Sequence, residues 1–309
     1  MNTTAQDISA SPGQSAALRV SRNVADAYKP FPIWRLVAWL VLGWIVLEAV
    51  MLVGQNPNFG WATVGEYLFH QNILDGLKIT LGLSVVSMAL GILFGLVIAL
   101  MRMSPDRLLS GFAAGFLWFF RAVPLLVQLI FWYNLSALFP EVKISIPFGP
   151  ELGAWETNSL ISPLTAAIIG LALHEAAYMA EIIRGGLLSV DRGQIEATQA
   201  FGMSRARALR RVILPQAMRF IVPPSGNQFI SMVKATSLVS VIAMSDLLYS
   251  VQAIYNRTFE VIPLLLVAAA WYLFIVSLLN VGQEFLERHF GRSERGVVDD
   301  DALSEEAES

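Results

Sequence analysis

The sequence predicts an all-α integral membrane protein with six transmembrane helices, and three observations carry that prediction. Of its 309 residues, 55% are hydrophobic by type and only 15% are charged, well below the roughly 25% charge of an ordinary soluble chain. Several apolar runs approach or exceed the ~20 residues that cross a hydrocarbon core. The basic residues gather at alternate ends of these runs instead of spreading evenly.

The leader, residues 1–33, is rich in Ser, Ala, Gln and Asn and has no signal-peptide-length apolar stretch, so it reads as a disordered cytosolic segment, not a cleaved signal. Leu36 to Val53 is apolar apart from Glu48 and forms an extra membrane helix within 34–54. Leu74 to Met101 is the second span, bounded by Asp75 and Lys78 at one end and by Arg102 and Arg107 at the other. The apolar stretch from Leu108 to Phe139 holds Arg121 and then Pro124. A charge at the bilayer centre costs several kcal/mol, so the cheaper arrangement lays Leu108 to Phe119 along the interface and sends the chain across from about Ala122.

Residues 140–158 carry Pro140, Pro147 and Pro150 and read as a loop. Leu160 to Ile183 is the fourth span, with Arg184, Gly185 and Gly186 marking its end. A polar stretch from Asp191 to Arg219 follows. Beyond Pro223 and Pro224 a fifth span reaches about Leu247, and Ile262 to Phe285 makes the sixth. Residues 287–309 are an acidic cytosolic tail, read as solvated and disordered. Its residues from 299 on hold six of the 24 acids; the net charge is −3 overall and +3 before residue 299.

With the amino terminus in the cytosol, sixteen bases fall on the inner side, against Lys78, Lys143 and Arg257 outside. This bias puts both termini in the cytosol. Aromatic residues such as Trp34, Trp39, Trp61 and Tyr67 fall near span ends, where interface anchoring explains them. The chain has no cysteine, which excludes disulfides and thiolate chemistry. His70, His174 and His289 lie far apart, and no nucleophile can be paired with a base. Catalytic residues, metals and cofactors of the chain's own are therefore not expected, and nucleic acid is not an expected partner.

The polar stretch has readable local structure. Asp191 and Gln194 have the spacing of a helix-start capping pair. Gly202 can close that helix in a left-handed conformation. Ser204 can cap a second helix running from Arg205 to Ile213, which Pro215 terminates. The result is a helical elbow with small residues, Ala197 and Ala200, on one face. Taken alone, a basic helical hairpin between spans is most often a solvated connector.

The run Glu196-Ala197-Thr198, then Gly202, then Val212-Ile213-Leu214-Pro215 resembles the signature loop of permease subunits in ATP-binding-cassette importers. Thr198 and Val212 stand where that pattern has Ala and Ile. Gly76-Leu77-Lys78-Ile79-Thr80-Leu81, Phe120-Arg121-Ala122-Val123-Pro124-Leu125-Leu126-Val127-Gln128, Ala177-Tyr178-Met179-Ala180-Glu181 through Gly186, Gly193-Gln194-Ile195-Glu196-Ala197 and Lys234-Ala235-Thr236-Ser237-Leu238 resemble its branch for polar amino acids and opines.

The resemblance covers about residues 73–286 and implies a five-span type I ABC importer permease core in a bacterial cytoplasmic (inner) membrane. It further implies a second permease, identical or similar, cytosolic ATPase subunits that bind the ATP, and an extracytoplasmic solute-binding protein. Residues 191–213 would be the coupling loop, with Gln194, Glu196, Ala197, Ala200, Gly202, Leu214 and Pro215 at the ATPase contact. None of the four lysines lies in a phosphate-loop context, so the chain does not hydrolyse ATP by that route.

Ionisable groups inside spans are functional candidates by default. Lys234 falls near mid-depth, facing a substrate carboxylate or paired structurally with an acid such as Glu175. Thr236, Ser237, Glu175, Tyr178 and Arg121 complete the candidate substrate path. Packing is the plainer role for Thr236 and Ser237, a local pair with Arg184 for Glu181, a hydrogen bond donated within the bundle for His174, and phosphate-level anchoring for Arg121. The expected function is the translocation path of an ATP-driven importer of a polar amino acid. The alternative is a stand-alone proton-coupled carrier using Glu175, His174 and Glu181, which lacks a detectable inverted repeat.

Overall fold

The computed structural model describes residues 33–145 and 151–308, with side chains described over 33–143 and 153–290. Of the leader read at 1–33, residues 1–32 lie outside the described residues. Ile33–Phe59 and the chain from Gly60 onward are separate units, described in turn. In the first, helix α1, Ile33–Gln55, has no buried residue. Its apolar surface runs all round, as a helix bathed in lipid requires.

The second unit begins with α2, Trp61–Tyr67, and the long α3, Gln71–Arg102. α4, Arg107–Ala122, starts under the Asp106 cap, whose carboxylate accepts from the N–H groups of Leu108 and Leu109 at 2.7 and 3.2 Å. The chain breaks at Val123 and resumes as α5, Leu125–Tyr133, bent by 101° from α4. α6, Leu135–Leu138, leads into strands β1, Glu141–Ser145, and β2, Glu151–Glu156, which pair antiparallel. This corrects the reading of 140–158 as a plain loop. The three prolines drew attention away from Val142, Ile144 and Trp155, which suit a pleated ladder.

α7, Thr157–Leu160, precedes α8, Pro163–Leu188, which Ser162 caps by accepting from the Thr165 N–H at 3.2 Å. Gly185 and Gly186 do not end α8. Gly186 is interior because a β-carbon there would lie 2.4 Å from Ile221 Cγ1 and 3.2 Å from the Ala217 carbonyl. α9, Arg192–Ala200, and α10, Arg205–Ala208, form the elbow. A π-helical turn, Leu209–Ile213, then merges into α11, Leu214–Ala235.

Pro215 therefore starts a helix instead of stopping one. Its missing N–H removes one rung of the ladder, and the wider π turn just before it absorbs the gap. Pro223 and Pro224 likewise lie inside α11, so the fifth span begins before them. A 3₁₀ segment, Thr236–Ile242, ends at Ala243 with φ 57°, and α12, Leu247–Thr258, follows at a 45° bend. α13 runs from Val261 to Glu308. Its backbone stays helical where the acidic composition predicts a disordered end, because Ala, Leu and Glu are good helix formers. Among the described residues, four helices are long and apolar enough to cross a membrane, or six if each bent pair is one span.

Close approaches set the helix directions. β-carbons at Gly91 and Gly95 of α3 would meet Glu175 and Met179 of α8, so the two helices run parallel. Gly186 meets Ile221, and Glu175 meets Gln228, so α11 runs against α8. A chain with one intervening span between α3 and α8 needs this arrangement.

Three core clusters stack along the bundle. Ala113, Leu117 and Phe120 of α4 pack with Ile98, Ala99, Ile183 and Val190, at the carboxyl ends of α3 and α8. Leu125 and Leu129 of α5 pack instead with Leu83, Ala166, Ala167 and Leu171, toward the amino ends of the same helices. α4 thus lies across one end of the bundle, and only from Leu125 does the chain head for the other, as the charge of Arg121 predicts. The third cluster joins Ile73, Leu247, Val251 and Leu264 at the far end.

Candidate functional site

The elbow between α8 and α11 is built from short-range rules. Asp191 Oδ1 accepts from the Gly193 N–H at 2.8 Å, opening α9. At its end Gly202 adopts φ 64°, and the Met203 N–H donates to the Thr198 carbonyl at 3.0 Å, a six-to-one closure that a left-handed glycine permits. Ser204 occupies the cap position of α10, but its side chain makes no cap hydrogen bond, which corrects the capping expected of it.

The elbow has two faces. Ile195 and Ile213 pack onto the core around Ala217 and Ile221, and Thr198 is buried with its hydroxyl donating to the Ile195 carbonyl at 2.7 Å. That back-bond is why a threonine fits where the resembling pattern has alanine. Gln194, Glu196, Ala197, Ala200, Gly202, Leu214 and Pro215 are all exposed. Between them Phe201 presents 85% of its surface. The sequence reading passed over this phenylalanine, although a large apolar side chain in an otherwise polar stretch was the available signal.

The intramembrane candidates separate into three places. Arg121 Cζ stands 5.6 Å from the ring centroid of Tyr178, which in turn lies 5.0 Å from that of His174. His174 Nδ1 is 3.4 Å from Gln128 Nε2, with donor and acceptor set by the ring's tautomer, and the imidazole also donates to the Phe120 carbonyl, in line with the donation within the bundle that the sequence predicts. Gln128 Nε2 donates to the Phe120 and Val123 carbonyls at 3.1 and 2.8 Å. Pro124 has no N–H to offer the Phe120 carbonyl, and the glutamine supplies the missing donor.

Glu175 is buried between α3, α8 and α11; Gln228 Nε2 donates to its Oε2 at 3.3 Å, and its Oε1 has no partner among the described residues. Glu175 is therefore not the partner of Lys234. Lys234 is exposed on α11, and no carboxylate among the described residues lies within ion-pair distance of it. Thr236 and Ser237 turn inward on their own helix, donating to the Val233 and Lys234 carbonyls at 2.7 Å each. Glu181 pairs with Arg184 at 2.7 and 3.3 Å, as their spacing predicts.

Two further polar features were missed. Gln283 of α13 donates to the Pro223 carbonyl at 2.8 Å and to Glu287 Oε1 at 2.7 Å, and Asn227 donates to the same carboxylate at 3.4 Å. Buried Asp246 caps α12, accepting from Leu248 and Tyr249 N–H groups at 3.2 and 2.9 Å. Neither stands alone in the sequence, since Ser245 precedes Asp246 and Glu284 follows Gln283, so no isolated polar residue signalled them.

Residues 91–292 match the family described as binding-protein-dependent transport system inner membrane component. The chain belongs to that family. It is 44% identical over 262 residues to the arginine transport system permease protein ArgU of Corynebacterium glutamicum, covering 83% of this chain and 79% of that one. It is 38% identical over 208 residues to the nopaline transport system permease protein NocM of Agrobacterium fabrum, covering 67% and 83%.

A crystal structure of an amino acid ABC transporter superposes with a TM-score of 0.60 at 35% identity, covering 71% of this chain and 94% of that one. A MetNI methionine ABC transporter in an inward-facing conformation superposes at 0.58 with 19% identity, covering 72% and 97%, and shows the shared fold. This family member is thus a transporter component and not an enzyme. None of these relatives is described as a proton-coupled carrier, so nothing favours that alternative. The family match, 91–292, overlaps the core read at 73–286 and leaves α1 outside it.

Proposed function

We propose that this chain is the permease subunit of an ATP-driven importer of a polar amino acid, with both termini in the cytosol and the elbow 191–213 acting as its coupling element. Cytosolic ATPase subunits bind the ATP and grip Gln194, Glu196, Ala197, Ala200, Gly202, Leu214 and Pro215. A second permease subunit completes the path, and an extracytoplasmic binding protein delivers the substrate. Arginine, nopaline and other amino-acid permeases among the relatives favour a polar amino acid.

The observation that carries the reading is the exposed face of the elbow. A capped helix with a glycine-closed turn, anchored by Ile195 and Thr198 and presenting small residues around Phe201, is a rigid lever with room for another backbone. Closure of the ATPases would move the elbow and reorient the spans. The substrate can bias this motion only through different affinities for the two states. Lys234, exposed and without a carboxylate partner among the described residues, suits the substrate carboxylate, with Arg121, Tyr178, Glu175, Thr236 and Ser237 shaping the helices around the path.

The test is uptake into vesicles holding the chain with its ATPase, a second permease where required, and the binding protein. Uptake that needs internal ATP and the binding protein is expected. Uptake by the chain alone, driven by a proton gradient, would overturn the proposal.

A further inference from the structure

At the end of the bundle far from the elbow, α3 and α12 are fastened to each other. The Leu247 N–H donates to Thr80 Oγ1 at 3.0 Å. A β-carbon at Gly76 would overlap Ser250 Oγ and lie 2.7 Å from the Asp246 carbonyl oxygen, so the two backbones touch there. Beside this seam the helices part and leave a cleft of about 240 Å³. Asn72 and Asp75 line one side of it, Ser245, Tyr249 and Ala253 the other.

Among the described residues Asp75 is the only charged one in that lining. Its Oδ1 accepts from Lys78 Nζ at 2.8 Å and from Gln71 Nε2 at 3.0 Å, while no hydrogen bond among the described residues reaches Oδ2. The side chains of Asn72, Ser245 and Tyr249 are likewise without hydrogen-bond partners among the described residues; Asn72 and Tyr249 engage only through their backbone N–H groups. The seam thus fixes the cleft without consuming the polar groups that line it.

We infer that this cleft receives the α-ammonium group of the incoming amino acid, with Asp75 as its counter-ion. The inference rests on the proposed import of a polar amino acid and on the orientation that puts the elbow in the cytosol, which sets the cleft at the outer face. A primary ammonium carries three donors, and the free Asp75 oxygen, the Asn72 amide oxygen and the hydroxyls of Ser245 and Tyr249 are acceptors for them. The cleft is smaller than the roughly 300–1,000 Å³ of a site for a drug-sized ligand, which suits a single amino acid. Asp75 is exposed and shared with Lys78, so capture is weak, as a receiving step ahead of the path requires.

The chain has no cysteine, so Ala253→Cys places a single thiol in the cleft, and Asn158→Cys, on the exposed turn before α8, serves as a control. Modification of the full chain in detergent by a water-soluble methanethiosulfonate is timed with increasing L-arginine, L-glutamine or N-acetyl-L-glutamine. Arginine and glutamine are expected to slow modification saturably at 253 and not at 158; N-acetylglutamine, which lacks the ammonium, should slow neither. Asp75→Asn should raise the concentration needed for protection about fivefold, the upper end for an exposed charge pair. Lys78→Gln removes the competing cation and should lower it, whereas a merely structural loss would move both variants the same way. Asp75→Glu keeps the charge and should retain part of the protection. Absent protection, equal protection by N-acetylglutamine, no change in Asp75→Asn, or protection that needs the binding protein would overturn the inference. No ATPase or ATP enters the measurement, so its failure is separate from a failure of ATP-driven uptake.

Discussion

Gly91 of α3 sits against Glu175 of α8 so closely that a β-carbon at 91 would lie 2.8 Å from Glu175 Cβ and 2.6 Å from its Cγ. One turn on, the same test at Gly95 gives 2.8 Å to Met179 Cβ and 3.0 Å to the Ala180 nitrogen. Close backbone approach through small residues is how membrane helices gain packing when lipid is as apolar as their side chains.

Gly95→Ala is expected to destabilise the bundle by about 1–3 kcal/mol, because the backbone it meets cannot step aside. Gly111 of α4 has nothing within 4 Å of such a carbon. Gly111→Ala should leave stability unchanged or raise it by roughly 0.5–1 kcal/mol through lower backbone entropy in the unfolded chain. Thermal unfolding in detergent distinguishes the two.

Glu175 joins α8 to α11 through Gln228. Glu175→Ala strands the glutamine amide at a cost of about 1–3 kcal/mol, while Glu175→Gln keeps an acceptor and should recover most of it. Denaturant titration of both variants measures the difference, and equal losses would remove the interhelical bond as the cause.

Phe201 and Gly202 separate stability from assembly. Phe201→Ala touches only exposed surface and should change stability by no more than about 0.5 kcal/mol, yet weaken capture of the ATPase subunit. Gly202→Val forces a left-handed residue at φ 64° and costs about 1–2 kcal/mol locally, with the same loss of capture. Co-purification with the ATPase reads both; undiminished capture would turn the elbow back into a connector.

Gly226 faces Gln283 so tightly that a β-carbon would come within 1.8 Å of its Oε1. Gly226→Ala should therefore swing the Gln283 amide aside, losing its donation to the Pro223 carbonyl. Coupling Gly226→Ala with Gln283→Ala should cost less than the sum of the two single changes, by about 0.5–3 kcal/mol in a double-mutant cycle.

Lys234→Met tests the substrate path. If the ammonium meets the substrate carboxylate, the methionine variant assembles normally but shows a raised substrate requirement for transport. Unaltered transport would assign Lys234 a structural role.

Much was legible from sequence because the governing rules are local or are set by the bilayer. Apolar length predicts the spans, Asp191 and Gly202 mark the ends of α9, and Arg121 before Pro124 predicts the bend between α4 and α5. What the tertiary structure alone decided is which groups meet. Pro215, Pro223 and Pro224 read as helix breakers until a π turn and neighbouring helices accommodate them. Glu175 could have answered Lys234 until the register of α8 on α11 gave it to Gln228. Gly186 could have ended α8 until Ile221 required the space of its missing side chain. Caps and spans depend on residues a few positions apart, whereas these pairings depend on how helices distant in sequence are rotated and set in depth against each other, which the order of residues does not express.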